Sequence, residues 1–292
     1  MIVLTAPTGA IGRQVLDTVL NSDESIRVIV RDPSRLPAAA RDRVEVVQGS
    51  HGDADVVAKA FAGADAVFWL VPPNPRAENP EAAYSGFSRP ACEAFADQGV
   101  PRVVGVSALG RGVTTDAGLV TATLDLDDLI ASTGVHYRAL TMPSFMDNLL
   151  RQTGPLKTDG VFSLPFAPDH AAPLCATRDI AAVAADLLLD HTWSGVDSVP
   201  VLGPEDLSPT DLARIMSDVL GKPIRYQRGS FEDFEARLVA NGSTGAMARG
   251  TVAMYRAKDA GLDNAEPRTP RSSTPTTFRQ WCEDVLKPAV LA

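Results

Sequence analysis

Through the first half of the chain, short unbroken apolar runs alternate with helical patterns, and few folds accommodate that rhythm. MIVLTA precedes GRQVLDTVLNS, in which Ile11, Val15, Leu16, Val19 and Leu20 fall at helical spacing. RVIVRD, RVEVVQG, DAVFWLVPP, PRVVGVSALG and VHYRALTMP follow as further runs, with helix-like segments between them. The runs are continuously apolar, as in strands covered on both faces. Strand and helix in strict succession imply right-handed βαβ crossovers and a doubly wound parallel sheet of the Rossmann kind.

Beyond Leu150 the rhythm changes to a Pro-rich irregular stretch, GVFSLPFAPDHAAPL. Thr177 or Asp179 is placed to cap the helix IAAVAADLLLD. Ser208, Pro209 and Gly221 mark the start and stop of LSPTDLARIMSDVLG. Thr274 to Thr277 open a last helix carrying Phe278, Trp281 and Val285. The expected division is a dinucleotide-binding core over 1–155, joined by 175–203, and a smaller α+β lobe over 156–174 and 204–292. At 292 residues the chain has ample length for both.

A net charge of −9 disfavours direct contact with nucleic acid or an anionic membrane surface. Cys92, Cys175 and Cys282 are scattered and unpaired in sequence, which fits a reducing cytoplasm and structural roles. The N-terminus reads as a strand, with no signal peptide expected, and no apolar run approaches the roughly 20 residues of a membrane span. The histidines have no metal-ligand spacing, so no metal is expected. His51 and His191 read as surface residues, and His136 as structural.

LTAPTGAIG, at residues 4–12, joins the first strand to the first helix. Such a turn offers free backbone N–H groups and a positive dipole end to a pyrophosphate. Gly9 and Gly12 occupy the later two glycine positions of a dinucleotide loop, and Ala6 stands at the first. If the turn demands a positive φ at Ala6, its Cβ costs roughly 1–2 kcal/mol. Thr5, Thr8, Gly9, Ala10, Ile11 and Gly12 are the expected contacts. The second strand ends in Arg31, with Arg35 close by, where an NAD-specific protein places an acid. A guanidinium there suits a 2′-phosphate, which favours NADP(H) over NAD(H). The alternative leaves Arg31 a solvated charge and Asp32 a turn cap.

These motifs together resemble the NmrA-like group of atypical short-chain dehydrogenases/reductases, which includes quinone and isoflavone reductases. LTAPTGAIGRQV stands at that group's phosphate loop, VIVRDPSR at its NADP-type second strand and VVQGS at its third. VFWLVPP and VVGVSALG match the fourth and fifth strands, GVHYRALTMPSFMDNLL the segment around strand six. TRDIAAVAADLL and STPTTFRQW are further likenesses. The resemblance implies cofactor contacts at Ser50, Leu70, Val71, Pro72, Ser107, Met142, Pro143, Ser144 and Phe145. It implies an active-site serine at Ser107, with Asn148 near the substrate; His170 and its neighbour Asp169 lie in the irregular stretch. Tyr84 and Ser85 follow strand four and are weaker candidates.

The departures are chemical. Ser50 replaces an aspartate, and Leu119 and Thr123 stand where the family has its Tyr-x-x-x-Lys pair. The resemblance implies an NADP(H)-dependent oxidoreductase acting on a small apolar carbonyl, enone or quinone, with Ser107, His170 or Asn148 serving the reaction. Two alternatives stay open: a non-catalytic NAD(P)-sensing regulator with a protein partner, and a redox-neutral biosynthetic enzyme on the same fold. A homodimer is also open.

Overall fold

The computed structural model describes residues 1–112 and 116–292. In chain order the strands are β1 (Ile2–Leu4), β2 (Ile26–Val30), β3 (Glu45–Gln48), β4 (Ala66–Trp69), β5 (Arg102–Ala108), β6 (His136–Met142), β7 (Ser144–Phe145), β8 (Val161–Leu164), β9 (Ala172–Cys175), β10 (Val196–Pro200), β11 (Asp206–Leu207) and β12 (Arg225–Arg228). The helices are α1 (Ala10–Val19), α2 (Ala38–Arg41), α3 (Ala54–Phe61), α4 (Phe87–Asp97), α5 (Leu119–Ser132), α6 (Thr153–Thr158), α7 (Thr177–Leu189), α8 (Pro209–Leu220), α9 (Phe231–Ala240), α10 (Gly245–Asp259), α11 (Phe278–Trp281) and α12 (Lys287–Leu291). Two compact units result. One comprises 1–108, 121–141 and 180–199, the other 109–120, 142–179 and 200–292.

The first unit is built on a seven-stranded sheet in the order β10-β6-β5-β4-β1-β2-β3. β1 pairs in parallel with both β2 and β4, and the β2–β3 and β4–β5 pairs are parallel too. The chain therefore reverses its direction of travel between β1 and β4, the switch point outside which open α/β sheets take ligands. Period-two alternation divides the apolar strands between two covered faces. Val3, Ile29, Val67, Trp69 and Val103 share a core with Phe61, Phe95, Leu126 and Ile130 from α3, α4 and α5. Ile2, Leu4, Val28 and Phe68, at the intervening positions, are equally inaccessible. A strand that is apolar at every position needs both faces covered, and the helices supply the cover.

The second unit carries a three-stranded sheet, β11-β9-β7, and a parallel pair, β12-β8. Phe162, Leu212, Met216, Phe278, Trp281 and Leu286 lie in its core. Met146 and Leu149 belong to the same core. That packing moves the boundary from the expected 155 to 142 and makes the second unit nearly as long as the first. α8 follows its sequence signals: Ser208 caps it through a capping box with Asp211, Pro209 opens it and Gly221 closes it at φ 67°. Thr277 caps α11 through a second capping box with Gln280.

α7 departs from expectation. Thr177 is its first residue and Asp179 lies in its first turn. Asp147, thirty residues upstream, accepts from the Thr177 N–H at 3.1 Å and from its hydroxyl at 2.9 Å. Asp179 instead accepts from the N–H and hydroxyl of Thr276, at 3.1 and 2.7 Å. The helix start is thus fastened by tertiary contacts that local spacing does not encode. Asp147→Ala removes two charge-assisted bonds at once, with an expected loss of about 1–2 kcal/mol. A urea midpoint unchanged from the parent would show that solvent replaces the cap.

Candidate functional site

The loop after β1 owes its shape to one contact. A Cβ on Gly12 would lie 2.2 Å from the carbonyl oxygen of Ala6 and 2.8 Å from its carbon. Only glycine lets α1 seat this closely on the turn. Ala6 has φ 49°, the single non-glycine residue with positive φ among the described residues. The strained conformation foreseen for an alanine there is therefore the one adopted. The Gly9 N–H donates to the Ala6 carbonyl at 3.0 Å, which closes the turn. Gly9 begins the helix without a side-chain cap. The N–H groups of Ala10, Ile11 and Gly12 belong to the first helical turn and have no intrahelical acceptor. An uncapped helix start with open amides is suited to a phosphate.

Thr5 ties the loop to the neighbouring strand. It is fully buried, and its hydroxyl donates to the Phe68 carbonyl at 2.9 Å and accepts from the Leu70 N–H at 3.0 Å. It fastens β1 to the end of β4. Ile11 and Gly12 are also buried, whereas Thr8 is half-buried and Gly9 and Ala10 are exposed.

At the end of β2, Asp32 accepts from the Ser34 hydroxyl at 2.7 Å and the Ser34 N–H at 3.0 Å. Those two bonds hold its carboxyl below the usual range. Arg31 and Arg35 are exposed, and neither guanidinium has an ion-pair partner among the described residues. Asp32 caps the turn, and Arg31 and Arg35 stand at the surface beside it.

Ser50, half-buried after β3, accepts from the Gly52 N–H at 3.2 Å. His51, expected at the surface, is buried, with its ring edge-on to Trp69 and Phe87. Its Nε2 lies 3.0 Å from the Leu70 carbonyl. Burial pushes its pKa down to about 4. Leu70 is thus held from two sides, by Thr5 at its N–H and by His51 at its carbonyl. Val71 and Pro72 continue from it, half-buried.

The Ser107 hydroxyl faces a partner that the sequence reading missed. It donates to Asp127 Oδ2 at 2.5 Å, and the Tyr137 hydroxyl donates to Asp127 Oδ1 at 2.6 Å. All three residues are buried. Gly105 makes room for the tyrosine, since a Cβ there would lie 2.2 Å from its hydroxyl oxygen. Asp127 lies one turn beyond Thr123 on α5, within the buried stripe of Val120, Thr123, Leu126 and Ile130. An acid inside an apolar helical stripe is the signal that would have found it. Thr123 hydrogen-bonds the side chain of Tyr84, whose pKa is raised by burial and lowered again by that bond. Tyr84 lies in a wide, π-type turn, Ala82–Gly86, ahead of α4. Ser85 beside it is buried.

In the second unit Met142 and Pro143 are buried, and Ser144, Phe145 and Asn148 are half-buried. The Asn148 amide has no hydrogen-bond partner among the described residues. Ser144 and His170 line one pocket together with a buried ion pair, Lys258–Asp263. Asp169 is exposed. The three cysteines are free and buried, and burial raises their thiol pKa values, to about 12 for Cys92 and Cys282. Among the described residues no helix is long and apolar enough to cross a membrane.

Comparison with known proteins agrees with this arrangement. The model of an NAD(P)H-binding family matches residues 7–191, and that of the NmrA-like family matches residues 126–281. The chain is 28% identical to a (4-alkanoyl-5-oxo-2,5-dihydrofuran-3-yl)methyl phosphate reductase of Streptomyces griseus, covering 82% of this chain and 81% of that one. It is 24% identical to an NAD(P)H azoreductase of Xenophilus azovorans, over 87% and 86% of the two chains. The NADPH complex of an Escherichia coli NADPH-dependent quinone oxidoreductase superposes with a TM-score of 0.80. That match has 22% identity and covers 98% of this chain and 100% of that one.

Two tests follow from this geometry. Ala6→Gly relieves about 1–2 kcal/mol of strain and gives back about 0.4–1 kcal/mol in chain entropy. The expected net gain is therefore about 1 kcal/mol in calorimetric stability, with tighter NADPH binding. Gly12→Ala is expected to lose about 1–3 kcal/mol and most NADPH affinity; retention of both would show that the close approach is dispensable. A second test uses His51, which is neutral when folded and takes up a proton near its usual pKa when unfolded. Because the unfolded chain binds more protons across this range, stability is expected to fall as pH drops from 6.5 toward about 4. His51→Gln should flatten that limb of the stability–pH curve.

Proposed function

From the premise that the chain belongs to the NmrA-like family of NAD(P)H-binding proteins, we propose that it is an NADP(H)-dependent oxidoreductase. The acceptor is a small, largely apolar carbonyl, enone or quinone compound. The observation that carries the reading is the uncapped start of α1, held over β1 by the Gly12–Ala6 approach. The residues present fit a dinucleotide. Open amides of the first helical turn receive the pyrophosphate, and Thr8 with the exposed Gly9 and Ala10 forms the rim. Arg31 and Arg35, both exposed, suit a 2′-phosphate in bidentate fashion. Leu70, pinned by Thr5 and His51, fixes the backbone at the end of β4.

When bound, the reduced nicotinamide supplies the hydride. The chain's own contribution is binding and orientation. With its proton directed to Asp127, Ser107 presents lone pairs rather than an acid, so protonation of the product falls to water or to another hydroxyl. That division of labour suits an acceptor already activated by conjugation, which needs little acid assistance. It also accounts for a fold that keeps the loop while Thr123 stands at the lysine position. The relatives named as a (4-alkanoyl-5-oxo-2,5-dihydrofuran-3-yl)methyl phosphate reductase, an NAD(P)H azoreductase and an NADPH-dependent quinone oxidoreductase support a reductase reading.

The decisive experiment mixes the protein with NADPH and a panel of quinones and enones and follows loss of the reduced nicotinamide's absorbance. Oxidation with at least one acceptor is the expected result. Tight NADPH binding without turnover on any acceptor would instead support a regulator, and no dinucleotide binding at all a redox-neutral enzyme. NADPH is expected to bind more tightly than NADH, and Arg31→Ala to shrink that gap by about tenfold. Equal affinities in the parent protein would overturn the assignment of Arg31.

A further inference from the structure

A row of polar side chains gathers along one face of α5, and all its members belong to the first unit. Thr123 and Asp127 stand four residues apart on that helix, so their side chains share a face, roughly 5–6 Å apart at Cβ. Asp127 receives Ser107 and Tyr137, and Thr123 is hydrogen-bonded to Tyr84. The two centres lie at different levels along the strands. The His136 N–H donates to the Pro101 carbonyl at 2.9 Å and the Leu109 N–H to the Met142 carbonyl at 3.3 Å, so β5 and β6 start together and end together. α5 ends just before β6 begins and therefore starts toward the carboxyl edge of the sheet. Thr123, one turn earlier than Asp127, is the nearer to that edge, where open α/β sheets take ligands.

Tyr84 is the member of this row that keeps surface. Ser107, Thr123, Asp127 and Tyr137 are buried, whereas Tyr84 is half-buried. Its ring packs against the core that holds Trp69, Phe95 and Leu126. The backbone carrying it is one wide, π-type turn, Ala82–Gly86, a form that is rare and gathers at functional sites. The local sequence favours that turn, because Pro90, inside α4, has no N–H to give the Gly86 carbonyl four residues back. Asn79 holds the front of the turn, its side chain accepting from the Ala82 N–H at 2.8 Å. A phenol is thus fixed at both its ring and its oxygen, at the level of the helix start.

Reduction of a carbonyl leaves a negative oxygen that has to be stabilised and protonated. The Ser107 proton points to Asp127 and away from that task. Tyr84 has the opposite character. Burial raises its pKa, so the phenol stays protonated at neutral pH, and the Thr123 bond acts the other way. A hydrogen bond donated to the phenolic oxygen favours the anion that remains once the proton has left.

We propose that Tyr84 is the proton donor of the reduction and that Thr123 is its positioning residue. Hydride adds with its electron pair to the acceptor, and the displaced π pair ends on an oxygen. That oxygen takes the proton as the Tyr84 O–H bond breaks, and water returns a proton to the phenolate. The hydride comes from the reduced nicotinamide, so proton delivery rests on the reductase reading; the placement of the Tyr84 hydroxyl beside Thr123 does not.

The test uses the full chain labelled with 3-fluorotyrosine, whose four tyrosines give four ¹⁹F signals. The signal lost in Tyr84→Phe is that of Tyr84. Cyclohexenone added to the NADP⁺-loaded protein, which has no hydride to give, is expected to shift that signal saturably. Tyr84→Phe leaves the ring in the core and is expected to keep its fold and its NADPH affinity, read from melting and nicotinamide fluorescence. Its kcat is expected to fall about 10²-fold with cyclohexenone and less than about tenfold with menadione, a more activated acceptor that asks less of an acid. Thr123→Val is expected to lose about tenfold in kcat with cyclohexenone, and Thr123→Ser to recover it. An unmoved Tyr84 signal overturns the proposal, and so does a Tyr84→Phe variant that slows equally with both acceptors or with neither. If the parent oxidises NADPH under either of those outcomes, the reductase stands and only Tyr84 falls. If no acceptor is turned over while the Tyr84 signal responds, the reductase falls and proton delivery with it, leaving Tyr84 a ligand-binding hydroxyl.

Discussion

The approach of Gly12 to the Ala6 carbonyl is the constraint on which the first unit's chemistry depends. It seats α1 on the end of β1, next to the switch point of the sheet between β1 and β4. Ala6 tolerates a left-handed conformation to keep that seat. Strain of this kind persists where the surrounding structure over-determines it. Here the surroundings are the Gly9 N–H, which closes the turn on the same carbonyl, and Thr5, which ties β1 to the end of β4.

Around that loop the polar side chains divide into those that hold the frame and those left free. Thr5, Asp32, His51 and Asp127 all have buried or short-range partners and act on the backbone or on other side chains. Arg31 and Arg35 stay open to solvent. Ser107 belongs with the first set, because its hydroxyl donates to Asp127, which also accepts from the Tyr137 hydroxyl. A buried carboxylate with two hydroxyl donors is a satisfied network, and such a network fixes rotamers more than it adds stability. The departure from the Tyr-x-x-x-Lys pattern is thus accompanied by a different buried polar arrangement on the same helix: Tyr84 with Thr123, then Ser107 and Tyr137 with Asp127.

The second unit uses long-range bonds where the first uses strand pairing. Asp147 fastens the start of α7, Asp179 fastens Thr276, and Tyr226, Asp259, Thr210 and Asn264 hold the loop over 164–171. With short strands and an irregular loop, backbone groups must find partners across the unit or stay unsatisfied. The outcome is a rigid wall with one unpaired nitrogen in it.

The sequence by itself determined the sheet, the phosphate loop and the helix ends that carry local signals. Continuous apolar runs such as AVFW are stable only when covered on both faces, so the alternation fixed the parallel, doubly wound order. Ser208, Pro209, Gly221 and Thr277 act within one helical turn, and they stand where the pattern placed them. Tertiary structure decided whatever depends on residues far apart in the chain. It bonded Asp147 to the start of α7 at Thr177, drew His51 into an aromatic cage of Trp69 and Phe87, and gathered 109–120, 142–179 and 200–292 into one unit. It also joined Ser107 to Asp127 and Tyr137, and set His170 beside Lys258 and Asp263. The physical reason is the range of the interactions. Periodicity and capping are set by neighbours three or four residues away, whereas the partner of a buried polar group is whichever residue the packed chain brings within hydrogen-bonding distance.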